Sequence, residues 1–431
     1  MKVYILAMIL PGLLVFSNQT FGQDQSFVQV KNGHFNRDGK PYKFLGANYW
    51  YGMYLGMKDS PGDRARLERE LDQLASLGVK SLRVLGSSEG QGQYQITPTL
   101  LNKNGEYNES VFEGLDFFLN ALKEREMMAV VVLNNFWMWS GGMPQYVSWT
   151  EGSEIPLPDI ENGGTWDPFI NYSLKFFENN HAQKMYLRHL KKIVNRKNSI
   201  SGIKYKNDPT ILSWQLANEP RGYSKQDEYR EWIRKTSKFL DKKDRKHMIS
   251  LGAEGNTASE LSGTDLYLDN DFKEIDYATV HVWIQNWSWY DPKNVVSFAA
   301  ALDNTQDYLT QQLQKAKELS KPVVIEEFGV SRDNAAFDGQ STTTYRDKFY
   351  NYMFDFTYES VLNNGLVQGC NFWSWGGEGR PSLPGGIWRK SDDLIGDPPH
   401  ERQGWYSVYD SDYSTIEIIK FYADRINAIN E

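Results

Sequence analysis

Ala129-Val-Val-Val-Leu-Asn134 is an apolar run without a polar face, preceded by the charged Lys123-Glu-Arg-Glu126 and followed by Asn135-Phe-Trp137. A strand with one wet face alternates apolar and polar side chains. A run that does not alternate suits a strand covered on both faces, as in a parallel sheet lying between helices. Seven further short runs are β-rich and near-continuously apolar: Phe44 to Asn48, Ser81 to Leu85, Ile211 to Leu216, Met248 to Gly252, Ala278 to Trp283, Val323 to Glu327 and Gly369 to Trp373. Apolar stripes at helical spacing separate them, for example Leu67, Leu71, Leu74 and Leu77 before Gly78, and Val111, Leu115, Phe118 and Leu122. Such alternation predicts either a doubly wound sheet or a closed barrel. Polar and aromatic residues gather at the carboxyl end of nearly every run, where a barrel builds its site from eight βα loops. The expected fold is therefore α/β, a (β/α)8 TIM barrel.

Outward from this core, Lys2 and the apolar run Val3 to Phe16, with small and polar residues through Gly22, read as a secretory signal peptide over 1–22. A single domain is expected over 23–431, closed by a helix bearing Ile416, Ile419, Phe421, Ile426 and Ile429. The mature chain is expected to be soluble and exported, extracellular or periplasmic. Its one cysteine, Cys370, lies in an apolar run, cannot form an intrachain disulfide and reads as a buried small hydrophobe. A formal charge of −8 argues against nucleic-acid or anionic-membrane partners, which would call for a basic patch. Aromatic residues make up 14% of the chain, and many of the 14 tryptophans sit beside Gly, Asn and Pro. Flat faces in loops suit sugar rings. The insertion from about Trp137 to Trp166 reads as a loop bordering a substrate cleft.

Two strand ends carry carboxylates. Ile211-Leu-Ser-Trp-Gln-Leu-Ala-Asn-Glu-Pro220 runs from a buried strand into Glu219, and Pro220 stops the ladder. Val323-Val-Ile-Glu-Glu-Phe-Gly329 ends with Glu326 and Glu327, only one of which can face the barrel mouth, because side chains alternate along a strand. Two acids at one barrel face are what retaining cleavage of a glycosidic bond requires: one protonated to release the leaving group, the other ionised to attack the anomeric carbon.

The ordered set Phe44-Leu-Gly-Ala-Asn-Tyr-Trp50, Asn218-Glu-Pro220, His281-Val-Trp283, Glu327-Phe-Gly329 and Asn371-Phe-Trp-Ser-Trp-Gly376 resembles glycoside hydrolase family five over most of the mature chain. The resemblance implies a single catalytic domain with Glu219 as acid/base and Glu327 as nucleophile, Glu326 being a buried, partnered carboxylate. It implies that Arg83 contacts the nucleophile. Such a guanidinium would keep Glu327 ionised, while the paired negative charge would keep Glu219 protonated. By the same resemblance Asn218 bonds the sugar 2-hydroxyl, His281 orients the acids, and Trp373 lies under the sugar at the cleavage point. Trp283 replaces a frequent Tyr, leaving the phenol's role unfilled or moved. Asn134-Asn135 stands where many relatives have His.

Leu133-Asn-Asn-Phe-Trp137, Asn218-Glu-Pro-Arg221 and His281-Val-Trp-Ile-Gln-Asn-Trp287 look like the endo-β-1,4-mannanase subfamily's versions, subfamily seven. That likeness implies a mannan endo-1,4-β-mannosidase acting on β-mannan polysaccharide or oligosaccharide, with Arg221 on the leaving-group side and Asn134, Trp137 and Trp287 among the sugar contacts. An endo-β-1,4-glucanase on the same machinery is the alternative, and a non-catalytic carbohydrate-binding barrel a more distant one. Trp137, Trp139, Trp149, Trp166, Trp287, Trp289 and Trp375 are candidate platforms, of which about half are expected to touch sugar. The histidines are scattered, so neither a metal nor another cofactor is expected. The protein is expected to act as a monomer.

Overall fold

The computed structural model describes residues 26–430, so the signal peptide expected over 1–22 lies outside the described residues. Eight strands form one parallel sheet: β4 (Phe44–Asn48), β5 (Ser81–Leu85), β6 (Met128–Val132), β7 (Ile211–Gln215), β8 (Met248–Ser250), β9 (Ala278–Val282), β10 (Val323–Phe328) and β11 (Val367–Phe372). Neighbours in sequence are neighbours in space from β4 to β8 and from β9 to β11; β11 pairs with β4, and a bridge between Ser250 and Tyr277 joins β8 to β9. The sheet thus closes into the (β/α)8 barrel expected from the apolar runs. All eight strands are buried along their whole length, the physical reason those runs are near-continuously apolar.

Helices cover the outside, with capping residues where the chain turns into them. Asn108 accepts from the Ser110 amide, and Asn179 from the His181 and Ala182 amides. The closing helix is Tyr413–Asn430. Cys370 lies on β11 and is fully buried.

Two features differ from the sequence reading. The insertion after β6 is partly helical rather than a plain loop, with a helix over Gly142–Glu151 entered through Gly141 (φ 93°) and Gly142 (φ 62°). A side chain at either glycine would strike backbone at about 2 Å, Glu89 O and Asn135 O respectively, so this tight entry requires glycine. Ahead of the barrel, β1 (Gln29–Lys31), β2 (His34–Arg37) and β3 (Lys40–Pro41) form an antiparallel hairpin sheet. Its Phe35, fully buried, meets Tyr277 edge-on at 5.2 Å and packs with Phe44, Met128, Leu212, Met248 and Val324 from the amino ends of the strands. The hairpin therefore plugs the foot of the barrel, and the carboxyl ends of the strands are left to form the site.

Phe35→Ala should lower unfolding stability by about 3 kcal/mol through loss of this plug, read as a shift in the urea midpoint. A change under about 0.5 kcal/mol would show that the hairpin does not support the barrel.

Candidate active site

Arg83, the third residue of β5, is only 3% exposed. Its guanidinium donates to Glu327, to Gln215 Oε1 at 2.8 Å, to Asn218 Oδ1 at 2.7 Å and to Asn48 Oδ1 at 3.1 Å. Side chains from four other points of the ring thus meet on one cation. The register of β10 against β9 shifts between Ile325 and Glu327, setting Glu327 opposite His281. Glu326 turns the other way. It is fully buried, accepts both its bonds from Gln215 Nε2 at 2.8 Å, and lies 3.6 Å from Arg83 Nε. Of the two adjacent acids, only Glu327 lines the cavity at the barrel mouth.

Glu219 follows β7 in a left-handed conformation (φ 46°), a strained backbone for a residue with a side chain, held by its backbone N–H donating to Gly252 O at 2.9 Å. Its carboxylate accepts from His281 Nδ1 at 2.8 Å and from Trp137 Nε1 at 2.7 Å. His281 Nδ1 is also 3.3 Å from Glu327 Oε2. One carboxyl oxygen each of Glu219 and Glu327 and one nitrogen of His281 lie within 4.8 Å of one another. That separation matches a nucleophile and proton donor acting on the same bond, and is too short to seat a water between two carboxylates. Metal-ligand spacing alone would admit a cation here. Arg83 and a protonated His281 already supply positive charge to the trio, so a divalent ion would meet repulsion.

The shifts of the two acids run in the direction opposite to the sequence expectation. Burial pushes the Glu327 carboxyl up to about 8; the positive charges of His281 and Arg83 oppose this and the charges of Glu219 and Glu326 reinforce it. Burial also pushes Glu219 up, but the bond and charge of His281, with Arg221 and Trp137, outweigh it and hold Glu219 below its ordinary value. Burial disfavours the imidazolium of His281, yet the charge of Glu327, the bond to Glu219 and the Glu326 carboxylate 3.7 Å from Nε2 raise it to about 10. Arg83 alone therefore does not sort the two acids, because His281 places a second cation closest to Glu219. Burial and the mutual repulsion of the two carboxylates thus favour a proton on the pair, and His281 Nδ1 lies within reach of both acids.

The cavity measures about 510 Å³ and is lined by Asn218, Arg221, Trp283, Trp373, Trp137 and Trp287 as well as the two acids. Asn218 gives its amide N–H to Asn135 Oδ1 at 3.2 Å. Arg221 bonds both oxygens of Glu254, at 2.6 and 2.9 Å, and lies 5.0 Å over the Trp137 ring. Trp283 packs on Trp373 and Tyr406. Among the described residues no tyrosine hydroxyl bonds Glu327; that of Tyr406 goes to Asn286. Of the seven candidate platforms, Trp137, Trp139, Trp166 and Trp287 reach the cavity, whereas Trp375 is wholly buried.

Asn134 does not reach the cavity. The chain has already left the strand, so its Oδ1 turns back to accept from the Asn135 amide at 2.8 Å; its carbonyl accepts from the Asn218 amide at 2.9 Å, and Asn135 Oδ1 from the Asn218 side chain. The sequence reading also missed Glu254 and Glu89. Glu254, at the end of Leu251-Gly-Ala-Glu254, is an acid at a strand end and was legible as such. Glu89 is buried and accepts from the Gly142 amide at 2.9 Å and the Tyr146 hydroxyl at 3.0 Å, anchoring the turn that carries Trp137 and Trp139.

His400 and Glu401 were missed as well, and they come from the long segment between β11 and the closing helix. His400 stacks on Trp139 (6.3 Å, 5°) and meets Trp166 edge-on, while Trp50 Nε1 donates to Gly396 O at 2.9 Å. The segment thus bridges the mouth from β11, past β4, to the insertion after β6. Glu401 Oε2 and His400 Nδ1 have no partner among the described residues and line the cavity. Burial, reinforced by the charges of Asp397, Glu327 and Glu219, pushes the Glu401 carboxyl up.

The family model described as GH family 5 β-mannosidase-like matches residues 25–431. Mannan endo-1,4-β-mannosidase 5 of Solanum lycopersicum is 29% identical over 387 residues, 86% of each chain. Mannan endo-1,4-β-mannosidase 1 of Oryza sativa subsp. japonica is 30% identical, covering 82% of this chain and 79% of its own. Among solved structures, the glycoside hydrolase family 5 mannosidase of Rhizomucor miehei superposes with a TM-score of 0.87 at 37% identity, covering 95% of this chain and 99% of that one.

In carboxyl-labelled protein, one glutamate resonance titrating near pH 8 should vanish in Glu327→Gln. Retention of every such resonance in that variant would contradict the proton placement.

Proposed function

Because the chain belongs to the β-mannosidase-like group of glycoside hydrolase family 5, we propose that it hydrolyses β-1,4-mannosidic bonds in mannan, glucomannan or galactomannan, with retention, by double displacement. The observation that carries this reading is the approach of Glu219 and Glu327 within one 4.8 Å trio at the mouth of the barrel. Glu327, held by Arg83, attacks the anomeric carbon and forms a glycosyl ester. Glu219 gives its proton to the leaving oxygen and then takes one from the water that opens the ester.

The reactive state needs that proton on Glu219 and a charge on Glu327. It has the same net charge as the resting state and differs only in which carboxyl holds the proton. His281 Nδ1, in reach of both, provides the route. Asn218 meets the 2-hydroxyl, and Trp373 and Trp137 offer ring faces. The mannosyl preference rests on the relatives, whose names specify mannan. The leader expected in residues 1–22 supports action outside the cytoplasm after its removal.

Cleavage within the polymer is the first reading of the mode of attack, as in the curated relatives. One observation favours a second, release of mannose from chain ends. The bridge carrying His400 and Glu401 closes the side of the mouth between β11 and the insertion after β6, leaving the side of Arg221, Thr257 and Trp287 for the rest of a chain. A protonated Glu401 would bond the hydroxyls of a terminal sugar.

Glu327→Ala should lower kcat by at least about 10⁴-fold and leave oligosaccharide binding intact. Azide should then give the product of opposite anomeric configuration. Full activity in that variant would refute the assignment. Hydrolysis of linear mannohexaose separates the modes: mixed oligosaccharides from the start mean internal cleavage, and mannose with mannopentaose means attack at the end. Cleavage of carboxymethylcellulose but not of mannan would sink the mannan reading. The rate should also fall as pH rises through about 8, where the shared carboxyl proton leaves; an alkaline limb unmoved from wild type in Glu327→Asp would contradict that origin.

A further inference from the structure

A formal charge of −8 is an average, and the fold does not distribute it evenly. At the carboxyl ends of helices Asn180–Val194 and Gln226–Lys243, a groove of about 830 Å³ that shares no lining residue with the cavity at the mouth is lined by ten residues, of which eight are Lys or Arg and one is acidic. The acid, Glu109, is already held by Arg196 at 2.8 Å, and Arg196 also pairs with Asp116. Among the described residues the other seven cations have no ion pair.

Helix ends explain part of this concentration. Lys191 and Lys192 close one helix and Lys242 and Lys243 the other, where positive charge offsets the dipole. Arg188 lies a turn earlier and Lys197 in the following loop; both are exposed, so dipole compensation accounts for neither. Unpaired like charges crowded on one concave surface repel one another, and a polyanion relieves that repulsion.

We propose that this groove binds a linear anionic polysaccharide, tethering the enzyme while its mouth stays free for a neutral substrate. The lining selects this class over other polyanions. It contains no aromatic side chain on which nucleic-acid bases could stack, and no apolar side chain to enter a lipid surface. A groove between two helix ends also suits one extended chain better than a flat bilayer.

The test is affinity electrophoresis of the full-length protein through gels containing polygalacturonate, with fully methyl-esterified polygalacturonate as the neutral arm. Wild type should be retarded by the acid form only, and raising NaCl from about 20 to about 300 mM should weaken binding about tenfold, because screening removes exposed charge interactions. Arg188→Gln/Lys197→Gln should bind several-fold more weakly, with unchanged melting temperature and mannohexaose hydrolysis. If the double variant fails to fold, Lys197→Gln alone, in an exposed loop, should lose affinity in the same direction. Equal retardation of wild type and variant, equal binding of the esterified polymer, or stronger capture by poly(U) or by phosphatidylglycerol vesicles would overturn the proposal. Because mannan hydrolysis is read separately, failure of the groove and failure of the mannan reading are distinct outcomes.

Discussion

One buried cation organises the site. Arg83 is withdrawn from water, and a charge so placed is costly unless its N–H groups are all engaged and its charge is answered. Its partners come from β4, β7 and β10 and from the turn after β7. They converge only when the barrel is closed, so the closed ring and the site form together. Gln215 illustrates the economy: it accepts from Arg83 and donates to Glu326, holding the unused acid away from the cavity while Glu327 faces it.

Around that cation, three carboxylates and His281 shift one another's protonation through their charges. Placing His281 between Glu219 and Glu327 keeps both acids within reach of one proton carrier. The arrangement lets the acid and the nucleophile exchange states without a change in net charge, which a low-dielectric pocket would penalise. Trp137 and Arg221 extend the control outward, one by a direct bond to Glu219 and the other through its charge.

Most of the barrel was legible because burial on both faces leaves a plain mark. Runs such as Val130 to Leu133 carry no alternation, and their ends were placed within two residues of the strands observed. The hairpin β1–β3 was not legible, since strands of two to four residues with mixed exposure show no period. At the site, Glu219 and Glu327 were readable as acids at strand ends, whereas Arg83, in the middle of β5, and His281 were reached through the family resemblance. Asn134 was expected at the sugar but does not line the cavity, because the direction of a side chain beyond the last ladder bond is set by a turn. The proton placement depends on distances between strands far apart in the chain, and His400 and Glu401 on the tertiary course of a long segment. Neither property exists in a local pattern.

The most direct measurement is mass spectrometry of the protein after reaction with 2-deoxy-2-fluoro-β-mannosyl fluoride, a substrate whose glycosyl ester forms faster than it hydrolyses. Attack by Glu327 predicts one added fluoromannosyl group, on the peptide containing Glu327. A label on Glu326, on another peptide, or no label while the fluoride is turned over would contradict the two-carboxylate account.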